Sequence, residues 1–200
     1  MKMKIKEITT VLFALSLLTD CSRDYDLERT IFFPDPEFPD LPMYTEWGYN
    51  TFGAYYDRQV FKSTNDIVPL KVIVRNDSTF FRFSGMLNNY KEMSVTFTMN
   101  DFLPDVYNDL TQLDKKILDL RDPKYGVIIK IDGQQQEMIL LGGSLEFKKA
   151  QNLIVDQKEE EIILSGTFEF QIVINDEPFT VSRGRFDQGI SYDNFFRFYF

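Results

Sequence analysis

The chain has 200 residues, 22 of them basic and 31 acidic, with no histidine and a single cysteine, and its formal net charge is −9. That acidity repels phosphate backbones and leaves no basic stripe to release counterions, so nucleic-acid binding is set aside. The missing histidines and the lone thiol exclude Ser-His-Asp triads, histidine zinc ligands, histidine acid–base catalysis and an internal disulfide together.

Lys2, Lys4 and Lys6 precede a mostly apolar stretch over residues 8–18, which is the charge-then-apolar order of an export signal. The stretch is shorter than the roughly 20 apolar residues a spanning helix needs. Leu17-Leu18-Thr19-Asp20-Cys21 follows, and it resembles the lipobox of bacterial lipoproteins, whose cysteine is acylated and becomes the first residue after cleavage. Asp20 departs from that pattern, which favours a small neutral residue before the cysteine. The expectation is a lipoprotein signal over residues 1–20 and a lipid on Cys21. Each buried CH₂ contributes about 0.8 kcal/mol, so two or more acyl chains hold a protein on a membrane where one is marginal.

Residues 21–44 carry Pro34, Pro36, Pro39 and Pro42 interleaved with Asp and Glu, and read as a lipid-anchored, proline-rich tether. Ile31, Phe32, Phe33 and Phe38 suit a solvated linker poorly. Two readings therefore stay open, a free tether and a segment lying against the domain as an edge strand.

Residues 45–200 read as one β domain. Apolar and polar residues alternate in short runs, the clearest being Met93, Val95, Phe97 and Met99 with Ser94, Thr96 and Thr98 between them. Comparable strands are predicted over residues 51–56, 60–61, 70–74, 80–86, 127–131, 137–141, 144–148, 161–164, 167–174, 179–182 and 195–199. Asn76-Asp77, Asp132-Gly133, Gly142-Gly143 and Asn175-Asp176 supply residues that tolerate positive φ, so each reads as a hairpin turn. Val106, Leu110, Leu113, Ile117 and Leu120 recur at spacings of three and four, which predicts an amphipathic helix near 105–115; the rival reading ends it near Leu113 and gives residues 117–120 to a strand. The fold class is all-β, an antiparallel sandwich or partly closed lipocalin-like barrel of about 9–12 strands with that one short helix. The 20 phenylalanines and 10 tyrosines supply its core.

The search for chemistry yields exclusions. Gly142-Gly143 lacks the lysine and helix of a phosphate loop, and the run Glu159, Glu160, Glu161 lacks the spacing and glycine of a calcium loop. Carboxylates alone could serve a glycoside hydrolase, but 29 acidic residues beyond Asp20 make a chance pair inevitable. The expectation is a protein without catalytic residues, cofactor or metal. Trp47, Tyr49, Tyr55 and Tyr56 cluster at the start of the domain and are the candidate ligand-binding residues, since flat aromatic faces stack on sugar rings. Phe196, Phe198 and Phe200 alternate up to the last residue, as in the closing strand of an outer-membrane barrel, which leaves a small barrel as one alternative.

Two motifs stand out late in the chain: Gly166-Thr167-Phe168-Glu169-Phe170 and Gly184-Arg185-Phe186-Asp187. With Asn50-Thr51-Phe52-Gly53-Ala54 they resemble a recurring pattern in an uncharacterised family of Bacteroidota outer-membrane lipoproteins, over about residues 47–190. The resemblance implies location and fold more than activity. Arg185 and Asp187 lie two apart, on one face of a strand, and are expected to pair with each other or with neighbours. The resulting expectation is an outer-membrane lipoprotein, on either face of that membrane, acting as a binding or structural module. Its partners are the membrane through the N-terminal lipid and a glycan or an envelope protein, with glycan processing as an alternative.

Overall fold

The computed structural model describes residues 30–155 and 158–199. The signal segment, Cys21 with the first part of the tether, and Phe200 lie outside them.

The domain is one curled sheet of twelve strands. In chain order these are β1 (Thr51–Tyr56), β2 (Gln59–Lys62), β3 (Leu70–Arg75), β4 (Ser78–Leu87), β5 (Lys91–Met99), β6 (Ile117–Asp119), β7 (Tyr125–Ile131), β8 (Gln134–Gln135), β9 (Ile139–Val155), β10 (Lys158–Ile174), β11 (Glu177–Ile190) and β12 (Phe195–Phe198). The main path runs β6-β9-β10-β11-β1-β2-β4-β5-β7-β8, and every pairing along it is antiparallel. It forks at β4, whose two halves pair with β2 and β3 on the same side. β12 then adds to β3 in parallel. Phe196 and Phe198 therefore extend a fork of the sheet, with Lys71 over Phe196 and Arg75 over Phe198.

Curling brings the inner faces of β4 and β5 onto those of β9, β10 and β11. The alternation in these strands directs phenylalanine inward at every layer: Phe83 meets Phe186 at 5.1 Å and Phe168 at 5.6 Å, Phe97 meets Phe170 at 5.8 Å, and Phe81 meets Phe147 at 5.2 Å. Offset and edge-on ring pairs of this kind contribute about 0.5–1.5 kcal/mol beyond the area they bury. The interior is thus filled with rings, unlike the hollow of a ligand-carrying lipocalin.

The helical stripe resolves in favour of the rival reading. Residues Tyr107–Leu113 form a 3₁₀ helix, a turn follows, and Ile117–Asp119 is strand β6. Tyr107, Leu110 and Leu113 are buried at spacings of three, which is the 3₁₀ repeat, whereas Val106 and Ile117 are exposed. The Asp114 carboxylate accepts the Ala150 amide at 3.0 Å and Lys115 takes φ +60°, so the chain turns there instead of continuing the helix.

One turn is corrected. Asn76, Asp132-Gly133 and Asn175-Asp176 do take positive φ in hairpins. Gly142-Gly143 does not make a hairpin: it lies inside β9, where the register against β10 shifts. A Cβ on Gly143 would sit 2.2 Å from the Glu169 carbonyl oxygen and 2.4 Å from Phe170 Cα, and both glycines hold φ near +145° (+148° and +143°). The pair buys close approach of two long strands and a bend, and the predicted strands on either side of it are one element.

The proline-rich stretch is docked from residue 30 onward. Pro34 bridges Pro42, the Asp35 amide donates to the Leu41 carbonyl at 2.9 Å, and Leu41 is fully buried. Gly53 on β1 makes room for it, since a Cβ there would meet Pro42 at 2.4 Å. Residues 30–48 form a strap across the outer face of β1 and β11.

Candidate functional site

The Gly184-Arg185-Phe186-Asp187 motif builds one end of the outer surface. Gly184 is forced to be glycine, because a Cβ would lie 2.4 Å from the Phe168 carbonyl oxygen and ring. Phe186 points inward to the core, which directs Arg185 and Asp187 outward onto the strap. The Arg185 guanidinium is ion-paired with Asp35, and it lies with Arg183 over the Phe38 ring at 5.7 and 4.7 Å. Asp187 is buried and accepts four hydrogen bonds: from Thr45 Oγ1 at 2.5 Å, Gly48 N at 2.7 Å, Trp47 N at 3.1 Å and Tyr49 N at 3.3 Å. The two motif residues do not pair with each other; both fasten the strap.

The strap in turn walls a groove along the outer faces of β9, β10 and β11. Its first half, about 430 Å³, is lined by Tyr44, Glu146, Lys148, Thr167, Glu169, Arg183 and Arg185. It continues past Ser144 and Glu169 into a second half of about 620 Å³, floored by Gly142-Gly143 and bounded by Ile117, Asp119, Arg121 and Leu141. The register explains the lining. Thr167 stands opposite Glu146, and Glu169 opposite Ser144, so all four share the outward face. At Gly142 the missing side chain makes room for Arg121, whose Cγ would lie 3.0 Å from a Cβ there, and at Gly143 the β10 backbone fills that space.

Electrostatics in the groove are mixed. Arg121 Nε and Nη2 grip both oxygens of Asp119 at 2.9 and 2.7 Å, and with the Arg121 amide they hold that carboxyl at about 2. Lys148 reaches toward Glu146 at 4.0 Å and lies over the Tyr44 ring at 5.3 Å. Burial pushes the Tyr44 hydroxyl well above its ordinary value, and its hydrogen bond to Glu46 at 2.9 Å adds to this. At Asp35, burial raises the carboxyl, but the amides of Phe38 and Glu37 and the Arg185 guanidinium together bring it below 3.8. Asp35 and Asp119 are thus both shifted downward by the groups that bind them. Among the described residues no group of three or more Cys, Asp or Glu side chains is placed to hold a metal ion.

The four aromatic candidates do not converge. Tyr56 is buried and stacked on Phe179 at 5.6 Å, Tyr55 points to the opposite face and meets Phe38 edge-on at 6.2 Å, and Tyr49 packs on Phe33 at 5.6 Å. Trp47 alone is open, with 70% of its surface exposed. Glu169 belongs to the Gly166–Phe170 motif and Asp119 grips Arg121 two residues on, but that these meet Glu146 in one groove follows only from strand register. A second, smaller cleft of about 230 Å³ opens at the end of the sheet where the strap begins, lined by Thr30, Asn50, Asp66, Val68, Glu161 and Asn194 among others. No helix among the described residues is long and apolar enough to cross a membrane. In comparison with known proteins, no family model, curated protein or solved structure matches the chain, so the site is read from its own chemistry.

Proposed function

We propose that the chain is a lipid-anchored envelope protein whose β domain is a non-catalytic binding module, taking an extended polar ligand such as a glycan in the groove across β9, β10 and β11. The groove carries the reading. It is long and shallow, its lining combines carboxylates, guanidinium and amine groups with the edge of Tyr44, and such fixed polar groups hydrogen-bond hydroxyls in many orientations. The ring-filled interior favours an external ligand over one held inside the barrel. The outward residues of β9 to β11, including Glu146, Lys148, Thr167, Glu169 and Arg183, favour a domain that faces water, since a membrane barrel carries an apolar band there. Cys21 in its lipobox-like setting supports the anchor.

The groove is tested by titrating a broad glycan panel calorimetrically. The expected result is a binding glycan whose affinity falls at least about tenfold, roughly 1.4 kcal/mol, in Arg121→Ala or Glu169→Gln. Equal affinity in both exposed-site variants, or a flat response across the panel, overturns the assignment. The anchor is tested by metabolic labelling with an alkynyl palmitate, where the wild type is expected to label and Cys21→Ala is not.

A further inference from the structure

The strap presents a row of apolar side chains that the core does not use. Ile31, Phe32, Phe33, Met43 and Trp47 are all exposed, although the backbone beneath them is firmly held. The Ile31 amide donates to the Tyr49 carbonyl at 2.9 Å, the Met43 amide to the Phe33 carbonyl at 2.6 Å, and the Trp47 amide to Asp187. The segment is thus held along Tyr49 and Asp187, with Ile31 to Phe33 directly following Thr30, which lines the end cleft together with Asn50. Val68, also exposed, lines the same end cleft as Thr30. Five or six large apolar groups gathered at one end exceed the scattered singles that any surface carries.

The length of chain outside the described residues says what covers them. Only nine peptide steps separate Cys21 from Thr30, which at about 3.3–3.6 Å each can span roughly 30 Å fully extended. A lipid on Cys21 would therefore hold Thr30 within roughly 30 Å of the bilayer. Lys62, whose Nζ lies 5.3 Å above the Phe32 ring, is the kind of long cation that reaches to headgroup phosphates while its stem stays among apolar groups. The net charge of −9 disfavours attraction to anionic lipid, so the contact is one of apolar insertion.

Resting on the anchor reading above, we propose that Ile31, Phe32, Phe33, Met43 and Trp47 form a face that lies in the lipid–water interface. The short leash and the apolar face together bring this side of the domain to the membrane. Aromatic side chains are the residues enriched at that depth.

Trp47 is the only tryptophan in the chain, so its fluorescence reports this face alone. The experiment reconstitutes the full chain, expressed with its signal and purified from membranes, into phosphatidylcholine vesicles with or without bromine on the acyl chains. Mass spectrometry of the Cys21 peptide is read first. If the thiol is free, the anchor reading fails, and the same thiol is coupled to maleimide-phosphatidylethanolamine in the vesicles so that the face is still tested. The expected result is a blue-shifted Trp47 emission, quenched about twofold or more by brominated lipid, with the quenching reduced in Phe32→Ser/Phe33→Ser at unchanged circular dichroism. Emission that stays iodide-accessible and blind to bromine on anchored protein overturns the proposal. So does a blue shift without bromine quenching in a chain that runs as a dimer, which would make a second copy the occupant.

Discussion

At the scale of single residues, Asp187 and Arg185 show how one short motif holds a distant segment. Asp187 gathers a hydroxyl and three consecutive-turn amides from residues 45–49, and it is buried while doing so. Removing the carboxylate strands those donors, at about 1–3 kcal/mol for each that finds no water. Asp187→Ala is accordingly expected to lower stability by about 2–4 kcal/mol in urea unfolding and to shift Trp47 emission. Arg185 and Asp35 give a pH dependence of definite sign. The Asp35 carboxyl is lowered from 3.8, so its contribution is fully present above that value and is lost as pH falls through the lower, folded-state pKa. Cleavage of the strap by pepsin is expected to accelerate as pH falls, and to do so at higher pH in Arg185→Met, where the guanidinium no longer holds the carboxylate. Neither partner of Asp187 nor of Arg185 can be read from the motif itself. Their sequence separations are 138 to 150 residues, and only the side of the strand on which they stand follows from spacing.

Among the elements, the legible ones are those whose pattern has a single solution. Met93, Val95, Phe97 and Met99 alternate without interruption, and all four are buried on β5. The stretch from Val106 to Leu120 is ambiguous because three-residue spacing suits both an α-helix and a 3₁₀ turn; the Asp114 bond to Ala150 decides it, and that bond belongs to the tertiary fold. Gly142-Gly143 misleads for a similar reason. A glycine pair marks either a turn or a close approach, and here the neighbouring β10 backbone occupies the space a side chain would need. Gly143→Ala is expected to cost more than about 2 kcal/mol, combining positive-φ strain with a backbone clash, and to weaken any ligand of the groove whose floor it forms. Thermal unfolding with a glycan titration beside it checks both effects. Ala at Gly133, where φ is +78° and nothing lies within 4 Å, provides the comparison with strain alone.

For the whole molecule, stability rests on rings that meet across the curled sheet. Phe83 touches Phe52, Phe97, Phe168 and Phe186, joining β4 to β1, β5, β10 and β11. Phe83→Ala is expected to cost about 3–5 kcal/mol and to keep unfolding cooperative, read as coincident circular dichroism and Trp47 fluorescence transitions. The same filled interior moves binding to the outside and makes the strap part of the groove wall. By itself the sequence determined the all-β class, the inward face of clear alternations such as Met93 to Met99, and the hairpin turns at Asn76-Asp77, Asp132-Gly133 and Asn175-Asp176, because each depends on neighbouring residues or on composition. Tertiary structure alone decided the fork at β4, the docking of the strap, the partners of Arg185 and Asp187, and the groove on β9 to β11. Those depend on which strands lie side by side, and that choice is made by packing between residues far apart in the chain.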